Sequence, residues 1–424
     1  MLVETKHTKL LNKEVYLSIK RSLVIILGTI FQWFDFALFG AVSSKLATTF
    51  YPSTIPHSVS VMMLWLSFAV AWLLAPVGGI IFGYIGDTYS RKSALVLSIL
   101  LMSSASLIIA VLPSYHAIGI LAPILLLVSR LLQGLSTNGE YTSAVVTLIE
   151  QSSKKLSYLA GALCSVACSL GMMFGYFIGA IAVRHDMPNW AWRIPFFMAF
   201  IGLLCSYYLR KNAKITYVKK NISLWAFIKK GKAQRHYFFK KSNLSMILGA
   251  YFGVVAWTIS IWLSSFLQYY GLSASQAASI IFISFALDII IQPIVAIFAQ
   301  KINARKIFMF FAILLFIIFY PCLKLFAFGN FHLALLAILM IRLCVSPTMS
   351  VLDSLSIYYV HKKFRCSMRG FFILTGMTIF GGTAPLILSS FMHFSKHYSI
   401  VFIAAYVCFF ILLGIIGIKN YDRF

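Results

Sequence analysis

Five ionisable residues stand inside stretches that are otherwise almost uncharged: Asp35, Arg130, Asp288, Arg342 and Asp353. In a membrane, a charge near a helix centre costs at least about 2.5–3.5 kcal/mol on insertion scales unless it faces a cavity or a partner. Each of the five is therefore read either as a functional group or as part of an ion pair that holds two helices together. Asp35 is the sharpest case, lying in GTIFQWFDFALFG with Trp33, Phe34, Phe36, Phe39 and Gly40 around it. A carboxylate so placed is a candidate for taking up a proton on one side of a membrane and releasing it on the other; the alternative is an acid that only packs helices. Arg130 keeps its proton under ordinary conditions and offers a planar fork of donors. In a water-poor cavity it would attract a carboxylate, from a solute or from Asp35, and Arg342, 212 positions later, is its counterpart. Asp353 follows Arg342 by eleven residues, too far for a direct pair within one helix, so a neighbouring helix is its expected partner. Gln32, Gln133, Asn138 and Tyr141 supply neutral contacts.

The elements that position these groups follow from composition. Hydrophobic residues make up 61% of the chain and charged residues 11%, against about 45–50% and 25% in an ordinary soluble domain. Apolar segments fall at 22–45, 58–82, 93–113, 117–138, 157–182, 190–209, 243–269, 274–299, 307–327, 330–355, 367–391 and 398–418. Most are long enough to cross a hydrocarbon core of about 30 Å as helix. The expected fold class is an all-α integral membrane protein of twelve transmembrane helices. The first run follows a polar leader and carries Asp35, with no small-residue cleavage site behind it, so it reads as a retained span rather than a signal peptide.

The connections alternate in charge. One set (the leader, 83–92, 139–156, 210–242, 300–306, 356–369 and the tail) holds 29 of the 36 Lys and Arg; the opposite set holds Lys45, Arg184, Lys324 and Lys396. The positive-inside rule then places both termini in the cytoplasm. The net charge of +26 is thus a topology signal, with anionic lipid headgroups at the cytoplasmic face as its partners. Nucleic acid is not needed to explain it. The chain divides into a six-helix unit over 1–209, a basic cytoplasmic linker over 210–242 and a second six-helix unit over 243–424. Within the linker, SLWAFIKKGKA reads either as a short interfacial helix or as an unstructured basic segment. The two halves resemble each other: besides the two arginines, SRKSALV at 90–96 and ARKIFMF at 304–310 stand 214 positions apart. A duplicated unit can rock about a site between its halves, opening it to each side in turn.

Residues 83–92, GYIGDTYSRK, form the expected turn between spans two and three. Gly83 and Gly86 allow helices to approach closely. Asp87 can accept hydrogen bonds at a neighbouring helix N-terminus, and Arg91 and Lys92 can pair with acids across the loop. Such a cluster would latch one side in one state and release it in the other; the alternative is a turn that only sets topology. Glu140, at the end of span four, either joins that network or is solvated at the interface.

The stretch resembles the loop signature G-x-x-x-D-[RK]-x-G-[RK]-[RK] of the major facilitator superfamily, through Gly83, Asp87, Arg91 and Lys92. Thr88 and Ser90 stand where a base and a glycine are usual. Within that superfamily the chain resembles the metabolite:proton symporters, a group that includes proline/betaine, α-ketoglutarate, citrate and shikimate transporters. QWFDFALFG at 32–40 is similar to EWYDFxLYG, with Gln32 for the glutamate. RLLQGLSTNGEYTSAVVTLIE at 130–150 is similar to RxxQGxxxGGEYxxAxxxxxE, which carries over Arg130, Gln133, Gly134, Gly139, Glu140, Tyr141 and Glu150, with Asn138 for a glycine. APVGG, WRIPF, FRCSMRG and FGGTAP resemble further motifs of the group, with Ala75 in place of an arginine. The resemblance implies two six-helix bundles of major facilitator type, with Asp35 and Arg130 central to proton coupling and solute binding and with Glu140 and Glu150 beside the latch.

The expected function is secondary active transport in the cytoplasmic membrane: proton-coupled import of a small polar organic solute that carries a carboxylate or is zwitterionic, such as an amino acid, betaine or organic acid. Its site would be built from Asp35, Arg130, Gln32, Gln133, Asn138, Tyr141, Arg342, Asp288 and Asp353. Gating would fall to Gly83, Asp87, Arg91, Lys92, Glu140 and Glu150. An exporter or exchanger of the same fold, and a receptor or scaffold that moves no solute, are the alternatives. No nucleotide-binding loop, nucleophile–base pair or metal-ligand spacing is visible, the seven cysteines are scattered, and the expectation is a monomeric non-enzyme without metal or cofactor.

Overall fold

The computed structural model describes residues 2–153, 156–184, 186–212, 232–358, 360, 365–394 and 398–419. All regular structure among them is helical. Twelve long helices are α1 (Leu2–Ala41), α2 (His57–Thr88), α3 (Arg91–Val111), α4 (Leu121–Gln151), α5 (Ser157–Ala182), α6 (Arg193–Asn212), α7 (Lys232–Tyr269), α8 (Ala274–Ala299), α9 (Ala304–Ala327), α10 (Phe331–Tyr358), α11 (Arg365–Phe394) and α12 (Ser399–Lys419), so that 232–242, expected as part of the linker, is the start of α7. Ten of these, all but α4 and α6, are long and apolar enough to cross a membrane. The other two carry more charge and polarity: Arg130, Gln133 and Glu140 on α4, Arg193 and Arg210 on α6. Of SLWAFIKKGKA at 223–233, expected either as an interfacial helix or as an unstructured segment, residues 223–231 lie outside the described residues, and Lys232 and Ala233 are helical.

The chain is an integral multi-pass membrane protein, and its packing follows from lipid as solvent. Large apolar side chains such as Ile317 on α9 and Leu386 on α11 face outward, where hydrocarbon rather than water meets them. Inside, association cannot rely on the hydrophobic effect, so small residues bring helices together. α7 and α11 show this best. A Cβ on Gly253 would meet the Met377 carbonyl oxygen at 2.8 Å and the Gly381 Cα at 3.0 Å. Both helices carry π turns near this contact, Thr258–Trp262 in α7 and Arg369–Ile373 and Met377–Gly381 in α11.

The helices outrun the apolar segments that announce them. α2 continues to Thr88, interrupted only at Leu74, and just Tyr89 and Ser90 separate it from α3. Most of 83–92 is therefore helix rather than turn. Its glycines leave the intrahelical hydrogen bonds intact, and the stop is made by Ser90, whose Oγ accepts from the Ser93 N–H at 2.9 Å as the cap of α3. Likewise α6 runs on to Asn212 and α11 begins at Arg365, which brings Arg210 and Arg369, both placed by sequence in connections, into buried helical positions. At the other end of α3, Arg193 donates to the Ala110 and Leu112 carbonyl oxygens, each at 2.7 Å. This satisfies the terminal carbonyls that an α-helix leaves free.

Candidate functional site

Among the described residues, five acids and five arginines are buried: Asp35, Asp87, Glu140, Asp288 and Asp353 against Arg91, Arg130, Arg210, Arg342 and Arg369. Taken together they cancel, as desolvation requires of charges held in an apolar interior. Four of the five sets are direct ion pairs: Arg91 with Asp87, Arg210 with Glu140, Arg342 with Asp288 at 2.7 Å, and Arg369 with Asp353. The fifth is not. Arg130 donates to Gln133 Oε1, and Gln133 Nε2 in turn donates to Asp35 Oδ2 at 2.5 Å.

This fifth set joins α1 to α4, one turn of α4 separating Arg130 from Gln133. Ser106 Oγ of α3 donates to Asp35 Oδ1 at 2.8 Å. The Arg130 guanidinium lies over the Phe39 ring, 3.8 Å from its centroid, with the Phe68 ring 5.4 Å away. Such faces favour a cation without supplying a hydrogen-bond acceptor at its edge, and Arg130 Nε is buried without a partner. Asp35, Arg130 and Gln133 line a small cavity with Phe36, Trp72 and Thr137.

Two further sets face the interior between α1–α6 and α7–α12. Asp288 accepts from Arg342, Ser346 and, across from α5, Ser169 at 3.3 Å. It lines a cavity of about 70 Å³ together with Trp33, Trp257, Phe285, Gln292 and Arg342. In that cavity's wall the Trp33 Nε1, Gln292 Oε1 and Arg342 Nε atoms are buried and unpaired. Asp353 accepts from Arg369 and, across from α4 and α5, from Tyr141 Oη at 2.7 Å and Ser165 Oγ at 3.0 Å. Asp353, Tyr141 and Arg369 border another small cavity, which shares Trp33 with the second and Trp72 with the first. An aromatic cluster of Trp33, Phe36, Trp72 and Trp257 therefore stands where all three meet. The cavity bordered by Asp288 and Arg342 is the largest of the three.

The gating candidates other than Glu140 form a separate group where α2 meets α11. Asp87 accepts from the Cys366 and Ser367 backbone N–H groups at 3.2 and 2.7 Å and from Ser367 Oγ at 2.6 Å. Arg91 also reaches Glu150 of α4 at 3.2 Å, and Arg365 of α11 reaches the same carboxylate at 3.3 Å. Lys92, next to Arg91 in the first turn of α3, is half-buried. Gly83 lets the backbones meet: a Cβ there would lie 2.6 Å from the Ser367 Cα. Backbone cannot move aside as a side chain does, so Gly83→Val is expected to force α2 and α11 apart. The check is Cys366, fully buried beside this contact; its alkylation by a water-soluble maleimide should rise at least several-fold in the variant.

Sequence reasoning and structure agree on some placements and part on others. Asp35, Arg130 and Gln133 are brought together, as are Asp288 with Arg342, and Tyr141 with Asp353. Gln32 is turned away from the cavities, its Nε2 donating to the Thr137 carbonyl oxygen of α4 at 2.8 Å. The side chain of Asn138 lies outside the described residues. Glu140 is neither in the 83–92 network nor solvated; it is 1% exposed and bound to Arg210, because α6 extends far enough to bury that arginine against it. Arg369 lay within the quoted FRCSMRG stretch, so a signal for it existed. Arg210, next to Lys211 at the end of an apolar run, was counted with the basic 210–242 connection and gave none.

Comparison with known proteins accords with this architecture. The model of the Major Facilitator Superfamily matches residues 25–379. A putative proline/betaine transporter of Staphylococcus haemolyticus is 28% identical over 384 residues, covering 86% of this chain and 79% of the relative. The proline/betaine transporter of Escherichia coli K12 is 37% identical over 188 residues, 43% of this chain and 37% of that one. Among solved structures, the proton:xylose symporter XylE superposes with a TM-score of 0.73 at 12% identity, over 97% of this chain and 96% of that one. The Escherichia coli fucose:proton symporter FucP gives 0.70 at 13%, over 95% and 99%. With the family model spanning most of the chain and the fold shared end to end, the protein belongs to the major facilitator superfamily and is a secondary transporter, a carrier rather than an enzyme.

Proposed function

We propose that the protein imports a small carboxylate-bearing or zwitterionic solute together with a proton, with Asp35 as the proton site and Arg130 as the anchor for the solute carboxylate. The observation that carries this reading is that Arg130, alone among the five buried arginines, has no carboxylate in contact. A buried guanidinium without a direct counter-ion is an open place for an anion. The aromatic faces of Phe36 and Trp72, which line the same cavity, suit the apolar body or ammonium group of an amino acid or betaine. The likeness to proline/betaine transporters over most of the chain supports the same solute class. In this reading the twelve helices act as two six-helix bundles, with both termini on the cytoplasmic side where the basic connections gather.

Two measurements test the proposal. Purified protein is screened for thermal stabilisation against amino acids, betaines and mono- to tricarboxylates, because any solute bound by the folded state alone raises its melting temperature by mass action. Solutes that stabilise are then followed in proteoliposomes with an acid-outside pH gradient. Asp35→Asn is expected to abolish gradient-driven accumulation while solute exchange without a gradient persists. Accumulation by Asp35→Asn equal to that of the unaltered protein would refute the proton role.

A further inference from the structure

We infer that the cavity walled by α1, α8 and α10 is a second station for the solute, built for a neutral zwitterion whose nitrogen still carries a hydrogen. It takes an amino or imino acid rather than a quaternary betaine, and Gln292 is the residue that tells them apart. The inference rests on the proposed solute class and narrows it.

Three unfilled hydrogen-bonding groups describe the ligand. Trp33 Nε1 of α1 and Arg342 Nε of α10 only donate, and the Gln292 amide oxygen of α8 only accepts. All three residues line the same cavity, none is more than 5% exposed, and none of the three atoms is bonded to another. Leaving a buried polar atom unfilled is unfavourable, so a ligand that fills all of them is preferred. The other nitrogens of Arg342 are engaged, Nη1 by Asp288 at 2.7 Å and Nη2 by Ser260 Oγ at 3.3 Å, which leaves Nε for a ligand. A solute carboxylate takes the two free N–H groups, one from each half of the chain. An N–H of the same solute then fills the amide oxygen.

Charge points the same way. Asp288 and Arg342 are the acid and the base in this wall, and they pair with each other. A site whose own charges cancel is entered most cheaply by a ligand without net charge, which a zwitterion satisfies and a dicarboxylate does not. The aromatic rings here are already in use. Trp257 stacks on Phe36 with centroids 5.5 Å apart, and the Arg342 guanidinium lies over Phe285, 4.9 Å from its centroid. Nitrogen is therefore recognised through its hydrogen rather than by an aromatic cage. A fully methylated nitrogen brings no hydrogen and would bury the Gln292 oxygen unfilled. Water can fill the same three atoms, and selectivity among solutes separates the two occupants.

The test is a pair of methylation series: L-proline, N-methyl-L-proline and N,N-dimethyl-L-proline, and glycine, sarcosine, N,N-dimethylglycine and glycine betaine. Affinities for the purified protein are read from thermal stabilisation at one pH. A fall of at least about ten-fold is expected at the last methylation, where the final N–H disappears, with smaller changes at the earlier steps. The step should persist in Arg130→Met, which weakens the other station. In Gln292→Leu it should shrink to about two-fold or less; Gln292→Met gives the same reading if the leucine variant folds poorly. A last-methyl step that survives in both Gln292 variants, or that vanishes in Arg130→Met, places the recognition elsewhere and overturns the inference. Equal affinity along each series in the unaltered protein leaves water as the occupant and overturns it too. These outcomes leave the proposed solute class standing. Stabilisation by dicarboxylates alone overturns the zwitterion site, and stabilisation by no carboxylate-bearing compound overturns both.

Discussion

Replacing Arg210 by methionine is expected to destabilise the protein by about 3–5 kcal/mol, the usual result of stripping one partner from a buried ion pair. Arg210 is fully buried, bonded to Glu140, to the Ile25 carbonyl oxygen at 2.6 Å and to the Leu95 carbonyl oxygen at 3.4 Å. It thus ties α6 to α1, α3 and α4 at one point, and Gly28 of α1 leaves the room through which its guanidinium passes. In the variant the Glu140 carboxylate would be left in an apolar surround with only the Ser98 hydroxyl, at 3.4 Å, still donating to it. The measurement is the melting temperature and folded yield in detergent. Adding Glu140→Gln should recover a large part of the loss, because the uncompensated charge is then gone, but not all of it, because the two carbonyls still lack their donor. If the single and double variants melt alike, desolvated charge is not what the pair controls.

The same arginine shows where the sequence stops being legible. The apolar runs, the basic connections and the lone charges inside spans all follow from what a hydrocarbon layer excludes, and they placed Asp35, Arg130, Asp288, Arg342 and Asp353 in buried helix. The ends of those runs are a poor guide to the ends of helices. Hydropathy falls once charge appears, whereas a helix continues as long as its hydrogen bonds are met, and a charge beyond the apolar run can still be buried if a neighbour neutralises it. Arg210 and Arg369 both lie there. Partner choice was equally out of reach: Asp353 takes its base from α11 and Glu140 from α6, pairings that depend on how helices rotate against one another rather than on spacing along one of them.

Once the partners are known, a division of labour follows. Two of the direct ion pairs, Arg342 with Asp288 and Arg369 with Asp353, lie wholly within α8, α10 and α11. The links from α1–α6 to these two acids are neutral hydroxyls: Ser169 to Asp288, and Ser165 and Tyr141 to Asp353. A hydroxyl bound to an already paired carboxylate is worth about 1.5–3 kcal/mol, small enough to break and re-form as helices move. Separating the ion pairs would leave two bare charges. The movement a carrier requires is therefore easiest along the hydroxyl contacts, with each ion pair travelling intact.

Against that background Arg130→Met is the variant expected to weaken solute binding most. Truncating one partner of a buried, hydrogen-bonded charge contact costs about 2–5 kcal/mol, which corresponds to a loss of at least about 30-fold in affinity. Stability should change far less than with Arg210→Met, since Arg130 leaves behind an amide oxygen rather than an unpaired carboxylate, and Asp35 keeps Ser106 and the Gln133 nitrogen. Arg130→Lys preserves the charge but not the planar fork, and a compact ammonium makes less of the Phe39 face over which a flat group now lies. Its binding should fall between the two. The measurement is stabilisation by L-proline, glycine betaine and a dicarboxylate, compared across the three proteins at one pH. If Arg130→Met binds any of them as the unaltered protein does, the carboxylate anchor lies elsewhere, and Arg342, whose Nε faces the central cavity unpaired, is the residue to replace next.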